Sequence, residues 1–332
     1  MRSQALGLAS AIKSLNAPEI QCEIVEKTAN LNSWGKYFPG HLNPLPFKSL
    51  SKDSCSFENE RWPDILITCG RRSSAISIAI GKKSKGRTYR VHVQNPQTPT
   101  NYFNLIASMQ HDALKGQNVI DTKVALHKLT QAKLDEEQVK WRSIWQDKNL
   151  LPKSDETENF PPILGVCLGG KNKKYGFDDQ ALHNLIQCLQ KARKEQNATI
   201  LLTPSSRTES FVTKALSETF KDDEKVWIWD QAGDNPYFGI LSNANHLLIT
   251  ADSVSMISEG LFTKAPVHIL PLNGTSRRHK IFLDNLISEK IIHPVDKIIE
   301  FSVKVTEQPI DETARIAQII HQNYADHIKS FS

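Results

Sequence analysis

The stretch HLLITADSVSMISEGLFTKAPVHILP, residues 246–271, contains the pattern that decides the fold. The apolar run 247–249 predicts a buried parallel strand, and the residues after it predict a helix and then a second strand. Asp252 lies between the first strand and the helix, and aspartate is a residue type that caps helix starts. The predicted buried face of the helix has helical spacing and consists of Val254, Ile257 and Leu261.

Ser255 and Glu259 are four residues apart and share another face of this predicted helix. The positive end of a helix beside the carboxyl edge of a parallel strand suits a diphosphate, and Glu259 could accept hydrogen bonds from ribose hydroxyls. The same residues are also typical of an ordinary capped helix in an α/β sheet, and spacing alone leaves both interpretations open.

The composition is typical of a globular protein. The chain has 332 residues, 39% hydrophobic and 23% charged, which is enough for two domains. The net charge of +5 comes from scattered Lys and Arg, so a nucleic-acid partner is not predicted, whereas weak peripheral attraction to the inner face of an anionic membrane is compatible with it. Five cysteines without ligand spacing indicate reduced thiols and a cytoplasmic location.

The first half of the sequence has the pattern of an open α/β unit. It begins with an amphipathic helix over residues 4–13, and a Pro-, Ser- and Asn-rich loop covers residues 33–62. Strands are predicted at residues 23–25, 64–69, 88–94, 105–106 and 119–120. A helix over residues 130–145 closes the predicted first domain, residues 1–150.

The second half repeats the alternation after a polar, Pro-bounded linker at residues 150–161. Beyond the opening stretch, strands are predicted at residues 163–168, 199–202 and 226–229, and helices at residues 178–195, 208–220, 278–290 and 312–329. The predicted fold class is therefore α/β, with two Rossmann-like doubly wound domains, residues 1–150 and 151–332.

Four consecutive strand ends of the second domain carry residues suited to an anion. Ligands of open α/β sheets bind outside the carboxyl ends of the strands. The candidate donor-binding residues there are Gly169, Gly170, Ser205, Ser206, Arg207, Asn235, Tyr237, Asp252, Ser253, Ser255 and Glu259. Glycine amides, hydroxyls and Arg207 would together bind a nucleotide or nucleotide-sugar.

The first domain offers a smaller candidate set at its strand ends. Arg71 and Arg72 at a helix start indicate either a bound anion or a solvated basic turn. His111 with Asp112 could act as a general base or form a structural pair. Gln94 could line the same acceptor or phosphate side, or serve the turn in which it lies.

Several motifs are missing, and their absence narrows the chemistry. The sequence has no Gly-x-Gly-x-x-Gly, no P-loop, no Asp-x-Asp and no Tyr-x-x-x-Lys. We therefore expect no metal and no cofactor other than a nucleotide-sugar used as co-substrate.

Seven motifs together resemble the mitochondrial-fission "elongated mitochondria" family. They are ALGLA (5–9), WPDILITCGRRSS (62–74), VQNP (93–96), HD (111–112), LGG (168–170), NPYFG (235–239) and TADSVSMISE (250–259). The resemblance implies a GT-B-like fold, two Rossmann-like domains facing across a cleft, with the nucleotide-sugar bound mostly by the second. It also implies that Ser253, Ser255 and Glu259 hold diphosphate and ribose, and that the terminal helix packs back onto the first domain.

The beginning of the sequence departs from this family pattern. Family sequences usually start with a strand and a glycine-rich turn containing a histidine, whereas here Gln4 and Gly7 follow Met1 directly in the predicted helix. We expect the first sheet to lack that strand, and donor binding to be retained more readily than turnover.

The leading hypothesis is an inverting, metal-independent GT-B-type glycosyltransferase acting on a glycan or lipid acceptor of the cell envelope. His111, assisted by Asp112, would deprotonate the acceptor, and the residue 252–255 helix start, Arg207 and the Gly169 and Gly170 amides would stabilise the departing diphosphate. Two alternatives stay open: a non-catalytic peripheral adaptor recruiting a dynamin-like fission partner, as the plant branch implies, and a metal-free nucleotide-sugar epimerase.

Overall fold

The computed structural model describes residues 1–15, 22–57, 61–153, 160–274, 276–295, 299–303 and 309–331. The chain divides into two compact units: unit 1 contains residues 1–128 and 311–332, and unit 2 contains residues 129–310. The division therefore falls 22 residues before the predicted boundary after residue 150, and the end of the chain returns to unit 1.

Unit 1 is built on a four-stranded parallel sheet whose strands follow chain order. The strands are β1 (Ile65–Cys69), β2 (Tyr89–Val93), β3 (Leu105–Met109) and β4 (Val119–Thr122). The helices are α1 (Arg2–Leu15), α2 (Ser74–Lys83) and the terminal helix α9 (Glu312–Lys329).

The alternation of side chains along the strands gives unit 1 its two apolar layers. Val91 of β2 faces a cluster that includes Leu8 of α1 and Ile316 of α9. Ile106 of β3 points to the opposite face, where it packs with Ile78 of α2 and with Phe103. The sheet is thus covered on both faces, as parallel sheets require.

Helix α9 is fastened to unit 1 by polar contacts as well as by its apolar face. Its N-terminal Glu312 accepts a hydrogen bond from the backbone of Lys123 at 2.9 Å, and the Thr313 hydroxyl accepts one from the backbone of His127 at 3.0 Å. Helix α9 is therefore an integral part of unit 1.

Unit 2 is a six-stranded parallel sheet in the order β8-β7-β5-β9-β10-β12. The strands are β5 (Ile163–Leu168), β7 (Thr199–Pro204), β8 (Val226–Ile228), β9 (His246–Thr250), β10 (Val267–Leu270) and β12 (Ile292–Pro294). The helices are α3 (Gln131–Asp147), α4 (Asp179–Gln196), α5 (Ser210–Thr219), α6 (Tyr237–Asn243), α7 (Val254–Gly260) and α8 (Arg277–Ser288), and a short antiparallel ribbon joins β6 (Tyr175–Gly176) to β11 (Asn273–Gly274).

The strand order of unit 2 reverses between β5 and β9. From β5 the chain proceeds outward through β7 and β8, and it then returns to place β9 on the other side of β5. This is the doubly wound order in which a ligand crevice forms at the reversal.

Helix α3 belongs to unit 2, although the sequence placed it at the end of the first domain. Trp141 and Trp145 form an aromatic cluster with Trp227 of β8, with ring centroids 5.3 to 6.1 Å apart. Gly239 of α6 packs directly on the Trp141 ring, where a Cβ atom would overlap it. The indole rings need this apolar partner surface, and unit 2 provides it.

Two other sequence expectations differ from the structure. Residues 23–25 are described but form no strand, and Val25 is exposed; the nearby backbone groups bond to residues 51–55 instead. In the predicted linker, Leu150 and Leu151 are buried, and residues 154–159 lie outside the described residues. All five cysteines are among the described residues, and none forms a disulfide.

Candidate functional site

The crevice between the carboxyl ends of β5 and β9 is the candidate site of unit 2. Gly169 and Gly170 follow β5 directly, and residues 251–253 follow β9 before α7 begins. The turn after β7 joins them, since Arg207 contacts Asp252 and Ser205 contacts Gly169, so the structure brings together three of the four strand ends that the sequence singled out. The fourth, after β8, is linked to α7 through Tyr237 and Glu259.

Asp252 is the centre of a buried polar network in this crevice. Its side chain has no exposed surface and lies 3.0 Å from the Arg207 guanidinium. It also accepts hydrogen bonds from the Thr250 hydroxyl at 2.8 Å and from the Gly170 backbone at 3.3 Å. Three donors thus compensate the cost of removing this carboxylate from water.

The two glycines of the crevice are required by this close packing. A Cβ atom at Gly169 would overlap the Asp252 carboxylate, and one at Gly170 would overlap the Arg207 carbonyl. Gly170 also has a positive φ of 150°, which favours glycine. Because these two residues have no side chains, the Asp252 carboxylate and the Arg207 carbonyl can approach them closely. This internal packing is a second reason for glycine at both positions, besides the predicted approach of a phosphate.

The predicted phosphate-binding amides are engaged inside the protein. The Gly169 N–H donates to the Thr250 hydroxyl at 2.6 Å, and the Gly170 N–H donates to Asp252. A diphosphate could accept from these amides only by displacing those two partners. The Arg207 side chain, which is 39% exposed, is better placed to meet a ligand.

The predicted helix cap shifts by one residue. Ser253 rather than Asp252 is the N-cap of α7, because its side chain accepts from the backbone of Met256. The Asp252 side chain turns instead toward the Gly169–Gly170 turn, where Arg207 provides a charged partner. Ser255 is exposed in the first turn of α7.

The turn after β7 is organised by hydroxyl groups. Ser205 donates to the Gly169 carbonyl at 3.2 Å and accepts from the Arg207 backbone at 3.2 Å. Ser206 is exposed. Ser205 therefore shapes the turn that carries Arg207, and Ser206 faces solvent beside it.

Tyr237 and Glu259 form a second pair in unit 2. The Tyr237 hydroxyl donates to a Glu259 carboxylate oxygen at 2.8 Å. Burial and the adjacent Glu259 charge raise the pKa of Tyr237 well above its usual value, so the phenol stays protonated and keeps donating. Asn235 fixes the start of α6 by accepting from the Tyr237 backbone at 2.9 Å.

The unit 1 candidates lie at the carboxyl ends of three neighbouring strands. Arg71 follows β1 and donates to the Gln97 side chain and to the Lys36 carbonyl, both at 3.3 Å, while Arg72 beside it is exposed. Gln94 follows β2 with a positive φ of 72°, and its amide donates to Gln4 of α1 at 3.0 Å. Arg71 and Gln94 therefore have protein partners.

His111 and Asp112 lie in a single 3-10 turn after β3. The His111 Nε2 atom is 3.6 Å from an Asp112 oxygen, and the Ser108 hydroxyl donates to the other Asp112 oxygen at 3.2 Å. The His111 side chain is 13% exposed. The pair is therefore held in place by β3 and remains partly open to solvent.

Thr250 and Thr208 are contributors that the sequence interpretation missed. Thr250 links Gly169 to Asp252, and the Thr208 hydroxyl donates to the carbonyls of Leu168 and Gly169 at 3.1 and 2.5 Å. Each lies within two residues of a selected position, so extending the candidate set along each turn would have found them.

The described residues contain neither a cluster of metal ligands nor a helix suited to crossing a membrane. Within the described ranges, no three or more His, Cys, Asp or Glu side chains group in a way that could hold a metal ion. Over those same ranges, every helix falls short of the length or apolar character that crossing a bilayer demands.

The sequence matches a known protein family over most of its length. Residues 1–324 match the family described as Mitochondrial fission ELM1. The chain belongs to this family. Over 295 residues it is 26% identical to the mitochondrial fission protein ELM1 of Arabidopsis thaliana, covering 79% of this chain but only 64% of the plant protein, which is less than two thirds.

This ELM1-family chain is also similar to a bacterial protein and to an archaeal enzyme of known structure. It is 25% identical over 322 residues to the uncharacterized protein RP120 of Rickettsia prowazekii (strain Madrid E), covering 86% of this chain and 84% of that one. The structure of UDP-GlcNAc 2-epimerase from Methanocaldococcus jannaschii superposes with a TM-score of 0.51 at 14% identity, covering 78% of this chain and 77% of the epimerase. The predicted GT-B-like α/β fold class is confirmed.

Proposed function

We propose that this ELM1-family chain binds a nucleotide-diphosphate sugar in unit 2 and transfers the sugar to an acceptor without a metal ion. The observation that carries the proposal is the strand reversal between β5 and β9, with Arg207 and Asp252 at its carboxyl edge. Ligands of doubly wound sheets bind at such a reversal. The shared fold with an enzyme named for UDP-GlcNAc supports nucleotide-sugars as the ligand class.

Each donor group has a proposed partner in unit 2. The exposed part of the Arg207 guanidinium meets the diphosphate, and Asp252 holds that guanidinium in position. Glu259 accepts from the ribose hydroxyls, with Tyr237 fixing its carboxylate. The exposed hydroxyls of Ser206 and Ser255 add donors to the phosphate oxygens.

The proposed reaction is a displacement at the anomeric carbon of the sugar. His111 takes the proton of the acceptor hydroxyl, and the resulting oxygen forms the new bond to that carbon. The bond between the anomeric carbon and the diphosphate oxygen breaks, and the nucleoside diphosphate leaves with the bonding electron pair. Asp112 orients His111, and Arg207 stabilises the charge on the leaving group. The acceptor class that we propose is a glycan or lipid of the cell envelope.

The first test measures thermal stabilisation by nucleotides and nucleotide-sugars, with EDTA present. A ligand at about 100 times its Kd adds about 2.7 kcal/mol, which raises the unfolding midpoint by several degrees. Glu259→Gln should abolish most of the shift. Glu218→Gln is the matched control, since Glu218 is an exposed carboxylate of α5 in the same unit.

A second measurement separates binding from chemistry. His111→Gln should keep the thermal shift of the wild-type chain while losing product formation with an acceptor. If no ligand of the panel shifts the midpoint of the folded chain, the donor site is wrong, and the adaptor function associated with the plant branch becomes the better explanation.

The epimerase alternative has its own support in the fold shared with the archaeal UDP-GlcNAc 2-epimerase. It predicts that donor alone is converted to a second nucleotide-sugar. The transferase proposal predicts no such conversion without acceptor, so chromatography of a donor-only reaction distinguishes the two.

A further inference from the structure

The strongest feature outside the candidate site is a closed loop in unit 1, residues 31–50, which we call the aromatic loop. Leu31 and Leu50 form an isolated antiparallel bridge at its ends, and the Asn32 backbone donates to the Ser49 carbonyl at 2.8 Å. Gly40 packs so closely on the first turn of α2 that a Cβ atom would overlap the Ser74 hydroxyl. The loop therefore has a defined shape and is fixed to the start of α2.

Several large apolar side chains of the aromatic loop are exposed, while two of its polar side chains are buried. Asn43 and Ser49 lie in its interior and hydrogen-bond to each other at 3.0 Å. Leu31 is buried and Phe47 and Leu50 are half-buried, but Tyr37 is 85% exposed, Leu42 60% and Leu45 50%. Clustered exposed apolar residues mark an interaction surface, whereas single ones need no explanation.

Trp34 and Phe38 extend this outward surface. Their rings lie edge to face with centroids 5.8 Å apart, and both are more than a third exposed. Among the described residues, five of the fourteen exposed large hydrophobic side chains belong to the aromatic loop, and two more, Ile24 and Val25, lie shortly before it. The apolar exposure is thus concentrated on one segment.

The charges on the aromatic loop are all positive. Residues 31–50 contain no Asp or Glu, while Lys36 and Lys48 are exposed. Arg71 adds a cation against the loop, since its guanidinium donates to the Lys36 carbonyl. The first acid beyond the loop, Asp53, accepts from Asn30 and Ser51.

We propose that the aromatic loop is a docking surface for an anionic lipid bilayer. Tryptophan and tyrosine favour the level of the headgroups, leucine and phenylalanine bury in the adjacent acyl region, and the cations meet lipid phosphates. A second copy is a poorer occupant, because a symmetric dimer would bring two positively charged copies of this surface together. This inference does not depend on the transferase proposal, which uses none of the residues of the aromatic loop.

The test is co-sedimentation of the full chain with vesicles of phosphatidylcholine alone or mixed with phosphatidylserine. The expected result is binding to the mixed vesicles that weakens as salt is raised. The variant with Trp34→Ser, Tyr37→Ser and Phe38→Ser should lose at least about tenfold in affinity, because the apolar contacts are removed. Its matched control carries Val139→Ser, Phe211→Ser and Ile281→Ser, three similarly exposed apolar positions of unit 2.

A second variant tests the same surface in case the first variant does not fold. Leu42→Ser with Leu45→Ser alters the same surface without touching the ring pair, and it should also weaken binding. Absence of vesicle binding by the wild-type chain, or equal binding by the loop variant and its control, would overturn the proposal. A dimer in solution that the loop substitutions dissociate would instead identify a second copy as the occupant and overturn it as well.

Discussion

Asp252 shows how one residue links the geometry of a turn to the electrostatics of the crevice. Its carboxylate has no exposed surface and faces the Arg207 guanidinium, the Thr250 hydroxyl and the Gly170 amide. A buried charge of this kind is tolerated only while its partners remain, so each partner is held in place by the others.

Replacing Asp252 with Asn should destabilise the chain by about 1–3 kcal/mol, since Arg207 would lose its carboxylate. The value lies below that of a fully buried pair because Arg207 is 39% exposed, and solvent screens its charge. Urea unfolding at neutral pH measures the difference. The Glu218→Gln control, at an exposed ion pair with Lys214, should change stability by less than about 0.5 kcal/mol; equal effects at both positions would contradict this account.

At the residue scale, the sequence predicted which positions along the chain belong to the candidate site, but not how their side chains are directed. The sequence located the residues after each strand, because apolar runs end visibly there. It could not reveal that Asp252 turns away from the helix start, or that Gly169 and Gly170 donate to protein acceptors. Side-chain direction depends on contacts across strands that are about 80 residues apart in sequence.

At the scale of elements, the fit of α1 depends on one glycine. Gly7 lies where the helix crosses the segment around His127, and a Cβ atom would overlap the His127 carbonyl oxygen. Thr313 of α9 hydrogen-bonds to the backbone of the same segment, so α1 and α9 both pack against the residues around His127.

Gly7→Ala should therefore destabilise unit 1, although alanine is the better helix former by about 1 kcal/mol. We expect a net loss of about 1–3 kcal/mol, because overpacking against backbone is relieved only by shifting the helix. Thermal unfolding followed by circular dichroism measures it. Ser10→Ala, at an exposed position of the same helix, should leave stability unchanged or raise it slightly; a stabilising Gly7→Ala would show that the close approach is wrong.

Strands and helices with strong periodicity were predicted well, because their burial is regular. Strands β5 and β9 and helix α9 are examples. The failures have physical causes: residues 23–25 look apolar, but Val25 is exposed and no strand pairs with them, and β12 is too short to give a pattern. The assignment of α3 to unit 2 depends on its indole contacts with Trp227, which no local pattern reveals.

At the scale of the whole molecule, buried histidines make both units sensitive to acid. Burial lowers the pKa of His92 in unit 1 to about 3, and burial with the neighbouring His246 and His293 lowers the pKa of His268 in unit 2 to about 3. The usual histidine pKa is about 6.5. At pH values between about 3 and about 6.5, the unfolded chain therefore binds more protons than the folded chain. The contribution of these histidines to the free energy of unfolding falls as pH falls below about 6.5 and stays constant above it.

At pH 5 each of these two histidines should cost about 2 kcal/mol relative to pH 7.5. The urea midpoint at the two pH values measures this loss. His268→Gln should reduce the pH dependence of the unit 2 transition, whereas His183→Gln, at an exposed position of α4, should not. Identical pH dependence in both variants would contradict the assignment to His268.

The two units should also differ in whether they fold as isolated fragments. Residues 129–310 are continuous and contain the whole six-stranded sheet, so this fragment should unfold cooperatively and keep any nucleotide binding. Residues 1–128 alone lack α9, so Leu8 and Val91 lose Ile316 and Ile320 as packing partners. That fragment should gain cooperative unfolding when a peptide of residues 311–332 is added, but not when the peptide carries Ile316→Asp and Ile320→Asp. A cooperative fragment without the peptide would show that α9 is dispensable.

The return of α9 to unit 1 has a consequence for the chain as it leaves the ribosome. The first sheet is synthesised early, yet α9, which helps to cover it, is made only after all of unit 2. Translation of residues 129–310, which takes about 10 to 40 s at ordinary rates, separates the two events. Throughout that interval the part of the apolar face around Val91 that Ile316 and Ile320 cover remains open on the nascent chain, so newborn molecules are the population that most needs chaperone protection.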